Sequence, residues 1–339
     1  MQRPSLRVHT SPQRGAAARP FDNDVHIVDR RLDDPAAERR ALVAGLLSTP
    51  AAIAPKYFYD AVGCALFCKI CNLPEYYPTR TEAAIFERSR GAIVAAAGTG
   101  KQLVDLGAGD CAKAAAWLPW LRPVTYVAVD IADDALEHAL PGVARAHPGI
   151  EIRGVLTDFT RGLDLRHDVA DGPATYFYPG SSIGNFAPAE ALRFLQGIRR
   201  LCGADADSGL LIGVDTKKDP ARLRAAYDDA AGVTAAFNRN VLAHVNRVLG
   251  TAFVPAAFDH VALYDEAASR VEMHLEARVA QTVTIEGIAR TFHAGERIHT
   301  ENSYKYAPSE FVAMLQRAGF AHVRCWQDDA GDFAVYYAS

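Results

Sequence analysis

Long apolar runs are missing from this chain. None of its hydrophobic stretches approaches the roughly 20 residues of a membrane-spanning helix, so no membrane partnership is expected. A dominant charge sign is missing too. The 36 Lys and Arg stand against 40 Asp and Glu, a net charge of −4 over 339 residues. Near neutrality argues against nucleic acid or an anionic membrane surface as the main partner. Cysteine is sparse. Six residues (Cys64, Cys68, Cys71, Cys111, Cys202, Cys325) do not make a disulfide framework at this length. Cys64, Cys68 and Cys71 can share a helical face, as soft-metal ligands or as small apolar core residues. With no fourth ligand nearby, no metal is expected. The first 20 residues hold four Arg and no acid, and lack the apolar core of a secretory signal. A transit peptide and a disordered tail both fit. A tail over residues 1–33 and a cytoplasmic protein are expected.

Half of the residues are hydrophobic, enough for a substantial core in two domains or one large one. Residues 34–48 read as a helix. The segments Lys56-Tyr57-Phe58-Tyr59-Asp60 and Leu73 to Glu82 read as a stiff loop of aromatics and prolines, facing either a ligand or solvent. From about 80 to 215, strands alternate with helices. Strands fit 102–106, 124–130, 151–155, 175–178 and 210–215; helices fit 82–97, 111–121, 133–147 and 188–202. That alternation implies a parallel sheet covered on both faces. Residues 219–249 are helical, and 260–305 alternate as an antiparallel meander with a turn at Glu286-Gly287. A helix from Ser309 to Gly319 and two strands at 321–327 and 332–338 resume the first pattern. The expected fold class is α/β: a doubly wound domain with an inserted α+β unit. The expected divisions are 34–79 and 219–305 for a substrate-binding part, 80–218 and 306–339 for the sheet domain.

The chemistry begins at Val104-Asp105-Leu106-Gly107-Ala108-Gly109. An apolar strand ends in a glycine turn that opens a helix, a place where backbone can approach a ligand. The third glycine of the dinucleotide fingerprint is absent before Lys113. A nucleoside with an amino-acid tail, S-adenosylmethionine (SAM), suits such a turn better. Asp130 ends the next strand, where an acid commonly accepts from a ribose diol. Asp158-Phe159 follows the third strand and can hold an adenine; Asp158 equally fits a helix cap. Lys113 can reach a methionine carboxylate or remain in solvent. The loop Gly180-Ser181-Ser182-Ile183-Gly184-Asn185 follows an apolar strand, and Asn185 can hold a carboxylate or an amine, unless the loop is only a connector.

Four separated stretches occur together and in order: Lys56 to Glu82, Gly180 to Phe186, Ala225 to Asn240, and Thr300-Glu301-Asn302-Ser303. In these the chain resembles the SAM-dependent histidine Nα-methyltransferases of ergothioneine biosynthesis, over about residues 35–339. The resemblance implies a Rossmann-like class I methyltransferase domain and a family-specific substrate domain. It implies SAM contacts at Gly107, Lys113, Asp130, Asp158 and Phe159. It implies histidine contacts at Tyr76, Asn185, Tyr227, Glu301 and Ser303, with Met273 beside the imidazole. Tyr59 and Phe67 would line the amine pocket, and Gly180 and Ser182 would complete the substrate set, Ser182 standing where Thr is usual. The turn departs at Asp110-Cys111-Ala112, where hydroxyl residues are more usual.

On that reading Asn185 and Tyr227 hold the substrate carboxylate, Glu301 and Ser303 the two imidazole nitrogens, and Tyr76 closes that end. Methyl transfer asks little of side chains beyond orientation and exclusion of water. No strong base stands in the motifs; Tyr59, through a water, is the candidate for ordering the amine. The expected activity is trimethylation of L-histidine to histidine betaine (hercynine) by a monomer. The alternatives are an Nα-methyltransferase for another amino acid, such as tryptophan or a derivative, and a non-catalytic SAM-binding module. The missing glycine makes a nicotinamide dehydrogenase weaker still.

Overall fold

The computed structural model of the chain describes residues 25–31, 35–159, 162–203, 205 and 207–339. The strands of the first half are β1 (His26–Asp29), β2 (Ala51–Ala52), β3 (Gln102–Leu106), β4 (Thr125–Asp130), β5 (Glu151–Leu156), β6 (Ala174–Tyr178) and β7 (Gly209–Asp215). Those that follow are β8 (Phe258–Asp265), β9 (Arg270–Ala277), β10 (Gln281–Ile285), β11 (Ile288–Phe292), β12 (Arg297–Tyr304), β13 (Val323–Gln327) and β14 (Phe333–Ala338). The helices are α1 (Pro35–Leu47), α2 (Ala61–Ile70), α3 (Tyr77–Ala97), α4 (Ala112–Ala115), α5 (Leu118–Leu121), α6 (Asp133–Ala146), α7 (Pro188–Cys202), α8 (Pro220–Tyr227), α9 (Val233–Leu249) and α10 (Pro308–Ala318).

The large sheet runs β1-β5-β4-β3-β6-β7-β14-β13. Pairing is parallel from β1 to β7, and β14 lies antiparallel to both neighbours. The residues of β3, β6 and β7 are buried throughout, as strands covered on both faces must be. The pleat sends alternate side chains to opposite faces. Val104, Val127, Tyr176 and Ile212 join a core with Phe194 of α7 and Phe311 of α10. Leu103, Tyr126, Phe177 and Leu211 join a second core with Ile85 and Ile93 of α3 and Leu136 of α6.

A smaller sheet runs β2-β12-β9-β8, beside the separate hairpin β10-β11. Strand β9 alternates half-buried and buried residues, which sends Met273 and Leu275 inward. They meet Leu42 and Leu46 of α1, Ile70 of α2, and Phe237, Val241 and Val245 of α9 in a third core. The two sheets are thus built on separate cores. The chain passes between them after β1, after α2, after β7 and after β12.

Several local expectations change. Residues 26–29, expected within the tail, form β1 at the edge of the large sheet, paired with β5. The remainder of that tail, apart from 25–31, lies outside the described residues. The loop expected over 56–60 contains a 3₁₀ turn at Pro55–Phe58, and Asp60 then caps α2 by accepting from the Gly63 amide at 2.7 Å. Helix α3 starts at Tyr77 because Pro78 suits a first helical turn. The helix expected over 111–121 is two short ones, α4 and α5. The run 219–249 splits at 228–232, where Asp229 accepts from the amides of Val233 and Thr234 and Gly232 takes φ +72°. The cysteines of the α2 region do not sit in a core: Cys68 is exposed, Cys64 and Cys71 half-buried.

Candidate active site

The carboxyl ends of β3, β4 and β5 carry the first set of predicted residues. Gly107 turns the chain out of β3 at φ +74°, and its amide donates to Val129 O at 2.8 Å. Around the point where a Cβ on Gly109 would stand, no heavy atom lies within 4 Å, so the space over the turn is open. Asp130 ends β4 and closes this turn. Its two carboxylate oxygens accept from the Gly109 amide at 2.8 Å and the Ala132 amide at 2.9 Å. Phe159 packs edge-on to Tyr178, the ring centroids 6.0 Å apart, and borders Gly107. Asp158 takes an ion pair from Lys56 at 3.3 Å, and Lys56 also reaches Glu38 of α1 at 2.8 Å.

Lys113 is exposed but not unpaired. It pairs with Glu82 of α3 at 2.7 Å, and the same buried carboxylate accepts from the Gly180 amide at 2.7 Å. Gly180 sits at φ +80°, and a Cβ there would stand 3.0 Å from the Lys113 ammonium. The position therefore favours glycine on two counts, conformation and space.

The second predicted set lines one cavity of about 600 Å³, counting its mouth. Tyr59, Phe67, Tyr76, Gly180, Ser182, Asn185, Tyr227, Met273, Glu301 and Ser303 all border it. The fold brings them from both sheets. Asn185 ends a 3₁₀ turn after β6, Ser182–Asn185. Glu301 and Ser303 are two apart on β12 and so share a face. Met273 on β9 stands directly opposite Glu301 in register. One wall is aromatic. Tyr59, Phe67, Tyr76, Tyr227 and Phe237 contact one another in sequence at centroid distances of 6.0 to 6.3 Å.

Burial pushes the Glu301 carboxyl up to about 7, against the nearby Lys305 ammonium and a hydrogen bond from Asn185, which hold it down. The Tyr59 hydroxyl is raised well above its ordinary range, first by burial and then by the charge of Glu301. It stays protonated at neutral pH. Tyr59 is therefore a neutral hydrogen-bonding group and not the base that takes the amine proton.

Behind the cavity lies a charged cluster that the motifs did not single out. Lys305 and Asp215 are both buried and pair at 2.8 Å. Lys305 also donates to Tyr227 Oη at 2.8 Å and to Ser303 Oγ at 2.8 Å. Tyr227 and Ser303 are joined to each other at 2.7 Å. Asp215 further holds Lys218 and accepts from Tyr77 Oη at 2.8 and 2.9 Å. One signal in the sequence leads to Lys305: Glu301, Ser303 and Lys305 follow one another at the two-residue period of a strand face.

A family model described as "Histidine-specific methyltransferase, SAM-dependent" matches residues 38–339. The chain belongs to that family. It is a SAM-dependent methyltransferase, and its large sheet is the mostly parallel sheet, covered on both faces, expected above. The chain is 43% identical over 313 residues to the histidine N-alpha-methyltransferase of Mycolicibacterium smegmatis, covering 90% of this chain and 96% of that one. It is 41% identical over 309 residues to the protein of the same name from Mycobacterium tuberculosis, covering 89% and 95%. Ergothioneine biosynthesis protein 1 of Neurospora crassa is 30% identical over 277 residues, 79% of this chain but 31% of that longer protein.

The residues at the glycine turn fit SAM. The open space over Gly109, the Asp130 carboxylate at the end of β4, and the aromatic face of Phe159 offer what a nucleoside needs. Lys113, beside Gly180, is the cation nearest the loop that separates this turn from the aromatic cavity. The candidate site thus has an open, polar end at the carboxyl ends of the large sheet's strands and an aromatic, carboxylate-floored end against the small sheet. Among the described residues no helix is long and apolar enough to cross a membrane.

Proposed function

We propose that the protein methylates the α-amino nitrogen of L-histidine three times, giving histidine betaine (hercynine) in the ergothioneine pathway. One observation carries the reading. Glu301 and Ser303 stand two apart on one face of β12 at the floor of a cavity with one aromatic wall, opposite Met273. A carboxylate and a hydroxyl that share a strand face match the two nitrogens of an imidazole, and neither an indole nor a phenyl ring would satisfy both. The identity with the mycobacterial histidine N-alpha-methyltransferases, over nearly their whole length, supports the same substrate.

When bound, SAM supplies the methyl group on its sulfonium. Gly107, Lys113, Asp130, Asp158 and Phe159 hold it. The remaining work falls to the cavity. Glu301 and Ser303 take the ring, and Tyr76 covers it. Asn185 takes the carboxylate, with Tyr227 beside it turning its hydroxyl hydrogen to Ser303. Both are already tied to the ring end, Asn185 to Glu301 and Tyr227 to Ser303, so one connected set of hydrogen bonds reads both ends of the substrate. Tyr59 orders the amine as a neutral group, while Phe67 and Gly180 with Ser182 shape its surroundings. The faces of Tyr59 and Phe67 accommodate a growing quaternary cation. Holding the amine in line inside a dry cavity is worth about 7–11 kcal/mol of barrier in well-oriented cases.

In this reading residues 34–79 and 219–305 form the substrate-binding part, and 80–218 with 306–339 the methyltransferase part. A monomer acting on a free amino acid is part of the proposal. All six cysteines are free, which suits the cytoplasm.

Mass spectrometry after incubation with histidine and SAM tests the proposal. A product heavier by about 42 Da, three CH₂ equivalents, is expected, and tryptophan should remain unmodified. Absence of any methylated histidine overturns it. Titration calorimetry of Glu301→Ala should show histidine binding lost and SAM binding kept.

A further inference from the structure

Lys305 does not line the cavity, and no role in the mechanism above falls to it. Yet it is fully buried, it is bonded to two residues assigned to the substrate, and it belongs to the small sheet while its counter-ion belongs to the large one. We propose that Lys305, anchored on Asp215, is a positioning residue that sets the hydrogen-bond polarity of the substrate cavity through Tyr227 and Ser303. The inference rests on the histidine reading of the same site.

The argument is a count of hydrogens. An ammonium only donates. Lys305 gives one hydrogen each to Tyr227 Oη, Ser303 Oγ and Asp215 Oδ2, all at 2.8 Å, which uses its three. Tyr227 and Ser303 carry one hydroxyl hydrogen each. One of the two is spent on the bond between them at 2.7 Å. One hydroxyl hydrogen is left, and both hydroxyls belong to residues that line the cavity. The cluster therefore presents a single donor beside the Glu301 acceptor. A donor and an acceptor side by side fit neutral imidazole, which has one nitrogen of each kind. Without Lys305 both hydroxyls are free to turn, and the site no longer distinguishes its ends.

Charge supports the same arrangement. Asp215, Lys218, Lys305 and Glu301 together sum to zero, so the second lysine of the cluster balances Glu301. The groups facing Glu301 are Lys305 just past the end of β12, Asn185 from the 3₁₀ turn, and Tyr59, Tyr76 and Tyr227 from the aromatic wall. Lys305 is the cation among them that favours the ionised carboxylate. Lys305 itself faces Asp215, Tyr227 and, across Asp215, Lys218 and Tyr77.

Two sets of variants test the inference, once the wild-type enzyme has been shown to methylate histidine; if it does not, the functional reading fails and not this one. Lys305→Met should raise the KM for histidine by about tenfold or more, leave SAM affinity within about twofold, and move the acid limb of kcat/KM to higher pH by about one unit. Lys305→Arg keeps the charge and should restore the wild-type position of that limb. A folded Lys305→Met enzyme with unchanged KM and unchanged limb overturns the proposal, as does an equal loss of SAM and histidine affinity.

The second set needs no change at Lys305. Ser303→Ala and Tyr227→Phe each leave one hydroxyl hydrogen, and the double variant leaves none. The double loss in histidine affinity should exceed the product of the single losses by about threefold or more. A purely multiplicative result overturns the proposal even where Lys305→Met does not fold.

Discussion

At Glu301 a carboxylate faces a cavity walled by aromatic rings, and its proton is held up to about 7 against an ordinary 4.5. A raised carboxyl is a cost to the folded state. The native chain binds that proton more tightly than the unfolded chain, so stability falls as pH rises between about 4.5 and about 7 and stays reduced above. Below that window the penalty is absent. Glu301→Gln should therefore stabilise the ligand-free protein by about 1–3 kcal/mol near pH 8 and by almost nothing near pH 4.5. Urea denaturation at the two pH values measures it, and a destabilised variant near pH 8 would refute the argument. The same variant should lose histidine turnover. A residue that costs stability in the empty fold and faces its cavity is what a binding site demands. This residue was legible because it sits in a dense polar run, Thr300-Glu301-Asn302-Ser303, within an alternating strand. Lys305 was not. Lysine is almost never fully buried, so at the end of a polar strand it reads as solvated, and only the partner on β7 explains it. Asp215 was visible as a strand-end acid, but its neighbours come from residues 77, 218 and 305, which no local pattern joins.

Among the elements, those of the large sheet could be read with little ambiguity. Strands β3, β4, β6 and β7 are short apolar runs bounded by glycine or aspartate, and the helices between them carry one apolar stripe each. What escaped were elements too short to have a period: α4, α5, the 3₁₀ turn at Pro55–Phe58, and β1. The four residues of β1 are held by their pairing with β5 and by space made for them. Gly154 on β5 leaves room that Ile27 fills: a Cβ there would stand 3.0 Å from Ile27 Cγ1 and 2.8 Å from Leu140 Cδ1. Arg30 continues the contact, its amide donating to Leu156 O at 2.8 Å and its side chain pairing with Asp168 at 3.1 Å. Gly154→Val should therefore push β1 off the edge, with a loss of about 1–3 kcal/mol. Hydrogen exchange should show amides of residues 26–30 opening while those of β3 and β6 stay protected; protection unchanged at 26–30 would mean that β1 does not depend on this packing.

For the molecule as a whole, the question is what makes two separately cored sheets into one enzyme. Beyond α1 the chain crosses between them three times, and these three crossings meet at Asp215. Tyr77 opens α3 after the first crossing, Lys218 follows β7 at the second, and Lys305 follows β12 at the third. Each bonds to the Asp215 carboxylate. The backbone closes the same knot, with Thr216 bridged to Tyr306 and the Tyr306 amide donating to Asp215 O at 3.4 Å. The substrate cavity is the other side of this junction, since Asp215 also lines it. Asp215→Ala leaves two buried ammonium groups without their carboxylate, which typically costs about 3–5 kcal/mol. The pH dependence distinguishes this cause from lost packing. An unpaired buried lysine has a folded pKa below its unfolded one, so its penalty is full below the folded value and disappears as pH rises above the unfolded value. Lys218 is already drawn down to about 8 by burial, even with Asp215 in place. The stability gap between Asp215→Ala and wild type should accordingly be widest on the acid side, narrow toward about pH 8 as the Lys218 share is lost, and go on narrowing toward about pH 10 through Lys305, which Asp215 holds protonated in the wild type. Chemical denaturation across that range measures the gap. A gap that is constant with pH would assign the loss to packing and remove Asp215 as the charge that joins the two halves.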